Sequence, residues 1–217
     1  MTSEAISLPT AENMKFLAAN SKVPVPKYLP GHTLENLLPS LGPVEKATIR
    51  KSVRDAVSAL RSTPNYLGML NRQPYLDGAS WTESLDPKTC GPFANQEEMN
   101  LAIIEKLRQT ESDQYIRLLQ HIVNRTLSGH RPVFTHGDLQ PKNIMVERLG
   151  DRDRRPELRI TLLDWESAGW YPEFWEFCNA TIACRFKPGW LELVPDILDQ
   201  YPVEFLMIQV VYSSVFY

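Results

Sequence analysis

Three side chains stand at spacings that suit the transfer of a phosphoryl group. Asn143 follows Asp138 by five positions, and Asp164 follows it by 26 positions, at the end of the apolar run Ile160–Leu163. Phosphoryl transfer to a hydroxyl needs a carboxylate that accepts the hydroxyl proton, and hard oxygen ligands that hold magnesium against the phosphates of ATP. Either aspartate alone would be interpreted as a turn or capping residue. The two in register with Asn143 predict a phosphotransferase site.

The sequence around these residues resembles a known family. The run HGDLQPKN, from His136 to Asn143, resembles the HGDLxxxN loop of the aminoglycoside phosphotransferases and the related choline kinases. The run LLDWE, from Leu162 to Glu166, resembles the IDWE or IDFE metal motif of that family rather than the DFG of protein kinases. This resemblance covers nearly the whole chain after residue 10. It implies a kinase that moves the γ-phosphate of ATP to a hydroxyl of a small molecule, which the sequence does not identify.

The resemblance also implies a role for each motif residue. Asp138 corresponds to the catalytic base, and Asn143 and Asp164 correspond to the magnesium ligands. His136 corresponds to a structural residue that braces the loop. The cofactors implied are therefore ATP and Mg²⁺.

Two further residues near the motifs have two interpretations each. Glu166 is either an outer-sphere partner of the metal or the cap of the turn before Gly169. Lys142 either contacts the transferred phosphate or is an exposed loop lysine, and the second interpretation is the more common one for such a residue.

The C-terminal part of the chain contains two groups of residues that bear on the substrate. An aromatic group is either a cation-π box for an amine or, as its helical spacing favours, part of the core: Trp165, Trp170, Tyr171, Phe174 and Trp175. An acidic group would suit a cationic substrate, although scattered carboxylates are normally surface residues: Glu173, Glu176, Glu192, Asp196 and Asp199.

The elements that must position these residues follow from periodicity. Apolar spacing predicts helices at about residues 10–19, 44–62, 96–109 and 113–127, and helical pieces after residue 173. Short β-rich runs predict strands at Val133–Thr135, Ile144–Val146 and Ile160–Leu163. The long polar loop at residues 63–95 is predicted to be a functional or substrate-facing surface. Together with the resemblance, this predicts an α+β, protein kinase-like fold with a mostly helical C-terminal lobe and a small β-hairpin region.

The N-terminal segment departs from the family pattern. A complete member has an N-terminal lobe with a glycine-rich loop over the phosphates and a strand lysine that pairs with a helix glutamate. Here no glycine precedes Gly31, and Glu12 resembles that glutamate without a strand lysine to pair with. We therefore predict that residues 1–30 are a remnant of the N-lobe and residues 31–217 the helical C-lobe. This raises an alternative function, a non-catalytic, pseudokinase-like or truncated relative that acts as a binding module.

Composition excludes other classes of function. The net charge of -3 and the isoelectric point near 5.9 give no basic field for nucleic acid or an anionic membrane. The absence of a signal-like N-terminus and of 18 consecutive apolar residues predicts a cytoplasmic protein. Cys90, Cys178 and Cys184 lack the spacing of a metal or redox site, so reduced, buried thiols are expected.

Overall fold

The computed structural model describes residues 15–19, 31–61, 66–75, 86–149 and 157–216. Its helices are α1 (Leu34–Leu37), α2 (Pro43–Leu60), α3 (Pro87–Cys90), α4 (Gln96–Leu107), α5 (Asp113–Thr126), α6 (Trp175–Ile182), α7 (Pro188–Leu191), α8 (Val194–Ile197) and α9 (Pro202–Phe216). Its strands are β1 (His32–Thr33), β2 (Gly68–Met69), β3 (Pro132–Thr135), β4 (Ile144–Arg148), β5 (Leu158–Leu162) and β6 (Gly169–Pro172). The predicted mixture of many helices with a few short strands is confirmed.

The strands form two small antiparallel sheets. One has the order β1-β4-β5, and the other has the order β2-β6-β3. In the first sheet Ile144 pairs with Leu162, so the start of β4 lies beside the end of β5. In the second sheet Thr135 pairs with Gly169, which brings the end of β3 beside the start of β6. These strand ends from both sheets therefore lie in one region, where the candidate site is found.

Helix α2 illustrates how the sequence determines an element. Its N-terminus has Pro43 at the first position, where a missing N–H is tolerated, and the side chain of Glu45 accepts a hydrogen bond from the N–H of Gly42 (3.1 Å). Four apolar residues at three- and four-residue steps are buried, as predicted: Ile49, Val53, Val57 and Leu60.

Helix α5 matches its predicted bounds but buries a different face. The spacing of Tyr115, Leu118, Leu119 and Ile122 predicts that these residues form the buried face, whereas the buried residues are Ile116, Leu119 and Val123. The side chain of Leu118 is 54% exposed. The apolar stripe of α5 is wider than the surface that its neighbours cover. Packing against α4 and α9 therefore decides which part of the stripe is buried.

Several predicted features fall partly outside the described residues. Residues 15–19 are helical, as predicted, and Phe16 packs against Phe134 and Trp170 of the second sheet (5.6 and 5.5 Å between ring centroids). Glu12 lies outside the described residues. Strands β4 and β5 pair with each other as the predicted hairpin. The charged segment between them, residues 150–156, lies outside the described residues. Throughout the part of the chain that the structure describes, every helix is too short or too polar to cross a bilayer.

Candidate active site

The loop between β3 and β4 carries most of the predicted site residues. It runs from His136 to Asn143 and ends in a 3₁₀ turn, Pro141–Asn143. The backbone of Leu163 ties this loop to the end of β5, because its N–H donates to the carbonyl of Asn143 (2.8 Å) and its carbonyl accepts from the imidazole of His136 (2.7 Å). Leu163 directly precedes Asp164. The tertiary structure thus brings together the two motifs that are 26 residues apart in the sequence.

His136 is buried and shapes the loop from within. Its Nε2 faces the carbonyl of Leu163, so this nitrogen carries the proton, and Nδ1 accepts the backbone N–H of Asp138 (3.3 Å). Burial lowers the pKa of His136, against the raising effects of the Leu163 carbonyl and of the charges on Asp138 and Asp164. A neutral imidazole satisfies both bonds at once. The predicted bracing position of His136 agrees with this geometry.

The carboxylate of Asp138 is partly exposed and is held by side chains of its own loop. Asn143 donates through Nδ2 to the backbone carbonyl of Asp138 and to its Oδ2, both at 2.9 Å. Lys142 forms an ion pair with the same oxygen at 3.3 Å. Gln140 donates through Nε2 to the other oxygen, Oδ1. A carboxylate fixed in this way is suited to orient a hydroxyl and accept its proton.

Asn143 ends the loop, and Asp164 follows Leu163, whose N–H binds the carbonyl of Asn143 (2.8 Å). Because the amide nitrogen of Asn143 is bound to Asp138, the amide oxygen is the group that remains for a cation. Asp164 has a φ of 59°, in the left-handed region, which aspartate tolerates better than most residues. Among the described residues no three or more His, Cys, Asp or Glu side chains are arranged to hold a metal ion. An amide oxygen and a carboxylate fit magnesium that takes further oxygens from phosphate and water.

Lys142 and Glu166 lie at the surface of the site. The side chain of Lys142 is 46% exposed, which agrees with an exposed loop lysine, and its partner is Asp138. Glu166 is exposed, in the turn between Asp164 and β6. Their roles toward phosphate and metal stay predictions.

Helix α6, which follows β6, forms hydrogen bonds with the first residues of the loop. Glu176 of α6 accepts the backbone N–H of His136 through Oε2 (2.7 Å), and Asn179 donates to the carbonyl of Gly137 (3.2 Å). Burial raises the pKa of Glu176 to about 7, opposed by hydrogen bonding from the His136 amide and by the charge of Arg61. Just beyond α6, the thiol of Cys184 donates to the side-chain carbonyl of Gln140 (3.6 Å).

The two groups of residues that bore on the substrate have structural partners. All five aromatic residues are buried, as expected of core residues. Of the acidic group, Glu176 is buried on His136, and the other four form ion pairs with basic residues: Glu173 with Arg131, Glu192 with Lys46, Asp196 with Arg50, and Asp199 with Arg54 and Arg61. These carboxylates therefore lend no support to a cationic substrate. The three cysteines are buried thiols outside any disulfide, as predicted.

Four residues that support the site were not identified as such from sequence: Gln140, Glu176, Asn179 and Cys184. Gln140 lies inside the recognised motif, and Glu176 is an acid between Trp175 and Phe177 in an apolar helix, which is a signal of a buried functional carboxylate. Asn179 and Cys184 carry no comparable signal.

A helical lobe with two small sheets and this loop has the architecture of the kinase-like phosphotransferases. A profile of the phosphotransferase enzyme family (APH) matches residues 7–205. The chain belongs to that family.

Two solved structures are similar to this chain, and the first of them shows the same fold. The GDP complex of a single-site mutant of aminoglycoside 2'-phosphotransferase-IIIa is similar over 95% of this chain and 71% of that chain, with a TM-score of 0.52 and 13% identity. The choline kinase LicA from Streptococcus pneumoniae has a TM-score of 0.41 and 14% identity, over 94% of this chain and 66% of that chain. No curated protein sequence shows significant similarity to this chain.

Proposed function

We propose that this chain carries the catalytic lobe of an ATP- and magnesium-dependent phosphotransferase that acts on a hydroxyl of a small molecule. The observation that carries the proposal is the held carboxylate of Asp138, which is partly exposed and lies in a loop bonded to the strand end before Asp164. In this proposal Asp138 orients the substrate hydroxyl and accepts its proton. Family membership and the fold of the aminoglycoside phosphotransferase support the reaction class.

Asn143 and Asp164 would hold magnesium in this proposal, through an amide oxygen and a carboxylate oxygen. Magnesium on ATP would neutralise the charge that develops on the transferred phosphoryl group. The side chain of Lys142 is nearly half exposed and can therefore leave Asp138 when phosphate enters, since an ammonium binds either anion. Glu166 is proposed as an outer-sphere partner of the metal.

The substrate class is proposed only as far as a small molecule with a hydroxyl group. Aminoglycoside and choline, the substrates named for the two similar structures, are both cationic. A cationic substrate is the finer prediction for this chain, and it has to be tested directly because the acidic group is bound to basic residues of the chain itself.

The test is transfer of phosphate from ATP to a panel of amino alcohols, aminoglycosides and neutral polyols, by this chain and by an N-terminally extended form. We expect Asp138→Asn to abolish transfer, because an amide cannot accept the proton. The matched control is Asp55→Asn, which changes an exposed aspartate that pairs with Lys51 of the same helix. Measurable turnover that is equal in Asp138→Asn and its parent would contradict the proposal.

The alternative, a binding module without catalysis, is favoured by one observation. Residues 1–30 contain no glycine, so they contain no glycine-rich loop of the kind that covers phosphates in the family. If neither form transfers phosphate to any acceptor or hydrolyses ATP, the binding module becomes the better interpretation.

A further inference from the structure

The two oxygens of the Asp138 carboxylate have different partners. Oδ2 receives Asn143, which the resemblance assigns to the metal, and Lys142, which is proposed to bind phosphate. Oδ1 receives the side-chain amide of Gln140, to which no role has been assigned. If phosphate draws Lys142 away while Asn143 holds the metal through its amide oxygen, the carboxylate stays fixed by Asn143 at Oδ2 and by Gln140 at Oδ1.

The amide of Gln140 can serve Asp138 in only one of its two orientations. A rotation of 180° would exchange nitrogen and oxygen and would place a carbonyl oxygen against the carboxylate. The buried thiol of Cys184, 1% exposed, donates to the Oε1 of Gln140 at 3.6 Å and so favours the productive orientation. Burial raises the pKa of Cys184 to about 11, so the thiol keeps the proton that it donates.

We propose that Gln140 is a positioning residue for Asp138, and that Cys184 sets the orientation of the Gln140 amide. The inference rests on the proposed function in that Asp138 is the base of the reaction. Gln140 itself contacts neither the transferred phosphate nor the hydroxyl in this arrangement. It acts by restricting the carboxylate to the rotamer in which the base faces its substrate.

In the N-terminally extended form, the consequence for kinetics is a loss in kcat with little change in KM. In Gln140→Ala the carboxylate keeps its charge but gains rotational freedom, and a misplaced base lowers kcat by about 10- to 100-fold. Cys184→Ala is expected to give a smaller loss, because the amide still samples the correct orientation. Cys184→Ser keeps a donor and is expected to recover most of it. Since Cys184 acts through Gln140, the double variant is expected to lose no more than Gln140→Ala alone.

The control is Cys178→Ala, which removes a second free, buried thiol that lies within α6. This variant makes the same chemical change as Cys184→Ala in the same region. The thiol that is bonded to Gln140 is that of Cys184 and not that of Cys178. Its kcat is expected to remain that of the parent. A loss as large as that of Cys184→Ala would overturn the role of Cys184 and point to general loosening of this region.

A second measurement decides the inference without turnover. The side-chain amide of Gln140 is assigned by ¹⁵N NMR of the 217-residue chain, as the pair of signals lost in Gln140→Ala. We expect these signals to shift in Asp138→Ala and in Cys184→Ala and to stay in place in Cys178→Ala. Signals that are unmoved by Asp138→Ala overturn the inference, even if the enzyme is active. Signals that move as expected in a chain without turnover support the bonding network and count against the proposed function alone.

Discussion

Gly137 shows why the loop has glycine before its aspartate. Its φ is 84°, and a Cβ at this position would lie 2.3 Å from the backbone oxygen of Ser167. The loop therefore passes so close to the turn after Asp164 that no side chain fits between them. The same close approach allows His136 to reach the carbonyl of Leu163.

Gly137→Ala is therefore predicted to be more destabilising than an ordinary glycine replacement. The control is Gly129→Ala, where φ is 78°. Among the described residues, apart from Gly129 itself and its two chain neighbours, no atom lies within 4 Å of the added Cβ. The left-handed backbone alone should lower the free energy of unfolding by about 1–2 kcal/mol at Gly129. The steric conflict should lower it by about 1–3 kcal/mol more at Gly137. Urea unfolding measures both, and equal losses would show that the loop can move away from Ser167.

Magnesium binding is also predicted at the scale of single residues. With Asn143 and Asp164 as its two protein ligands, we expect the chain to bind magnesium weakly without nucleotide and more tightly with ATP present. Calorimetric titration of the parent and of Asp164→Ala, with and without ATP, measures this, and Asp55→Ala is the control. Tight binding by the nucleotide-free chain that persists in Asp164→Ala would place the metal elsewhere.

Helix α6 is the element that determines the position of the loop. Glu176 binds the start of the loop, Asn179 binds Gly137, and Cys184 follows the helix to meet Gln140. The side-chain carbonyl of Asn179 in turn accepts from Tyr212 of α9 (3.3 Å), so the contact extends to the C-terminal helix. Helix α6 thus holds the loop at two points, and Cys184 just beyond it adds a third.

Glu176 gives this contact a pH dependence with a defined sign. Its pKa in the folded protein is about 7, against 4.5 for an unperturbed glutamate, so the native state holds the proton more tightly than the unfolded state. Stability therefore falls as pH rises from about 4.5 to about 7, by about 3 kcal/mol at about 1.4 kcal/mol for each unit of pKa. Below this window the contribution is fully present.

Glu176→Gln should remove that slope, because glutamine does not titrate and its carbonyl can still accept the N–H of His136. The measurement is the free energy of unfolding in urea from about pH 5 to about pH 8, where the parent should lose stability relative to the variant. Glu173→Gln, which removes a carboxylate paired with Arg131, is the control. Parallel curves for the parent and Glu176→Gln would mean that Glu176 is ionised throughout.

At the scale of the whole molecule, the question is how ATP is held. The described residues supply the proposed base and the proposed metal ligands, whereas residues 1–30 contain no glycine-rich loop. Charge-assisted hydrogen bonds to phosphate contribute about 1.5–3 kcal/mol each, so a few missing ones lower affinity by orders of magnitude. We predict little or no turnover by this chain and clear turnover by a form with a complete N-lobe.

Thermal unfolding with magnesium-ATP measures this prediction. A ligand that binds the native state stabilises it according to its concentration and affinity, so the extended form should show a much larger rise in Tm. Asp164→Ala in the extended form serves as the control, because it should remove most of that rise. Robust turnover by the 217-residue chain that Asp138→Asn abolishes would show that the present lobe is sufficient.

The sequence by itself determined the elements that depend on local order, and it predicted the chemistry. Helix α2 follows from its apolar spacing, and the hairpin of β4 and β5 follows from two β-rich runs on either side of a charged run. The roles of Asp138, Asn143 and Asp164 could be predicted because residue type and spacing within a motif can be identified without knowledge of contacts. Local periodicity and motif spacing are properties of the chain.

Only the tertiary structure decided which groups meet across long separations. Strand β2 has two residues and pairs with β6 about a hundred positions later. A strand this short has no alternating pattern of apolar residues from which it could be predicted. The part of α5 that is buried depends on where its neighbours pack, since its apolar stripe is wider than the surface that α4 and α9 cover. Glu176 has the residue type of a surface acid, and its place behind His136 follows from the packing of α6. Burial and partner choice are decided by contacts between distant segments, and these in turn set the charge and orientation of the groups in the site.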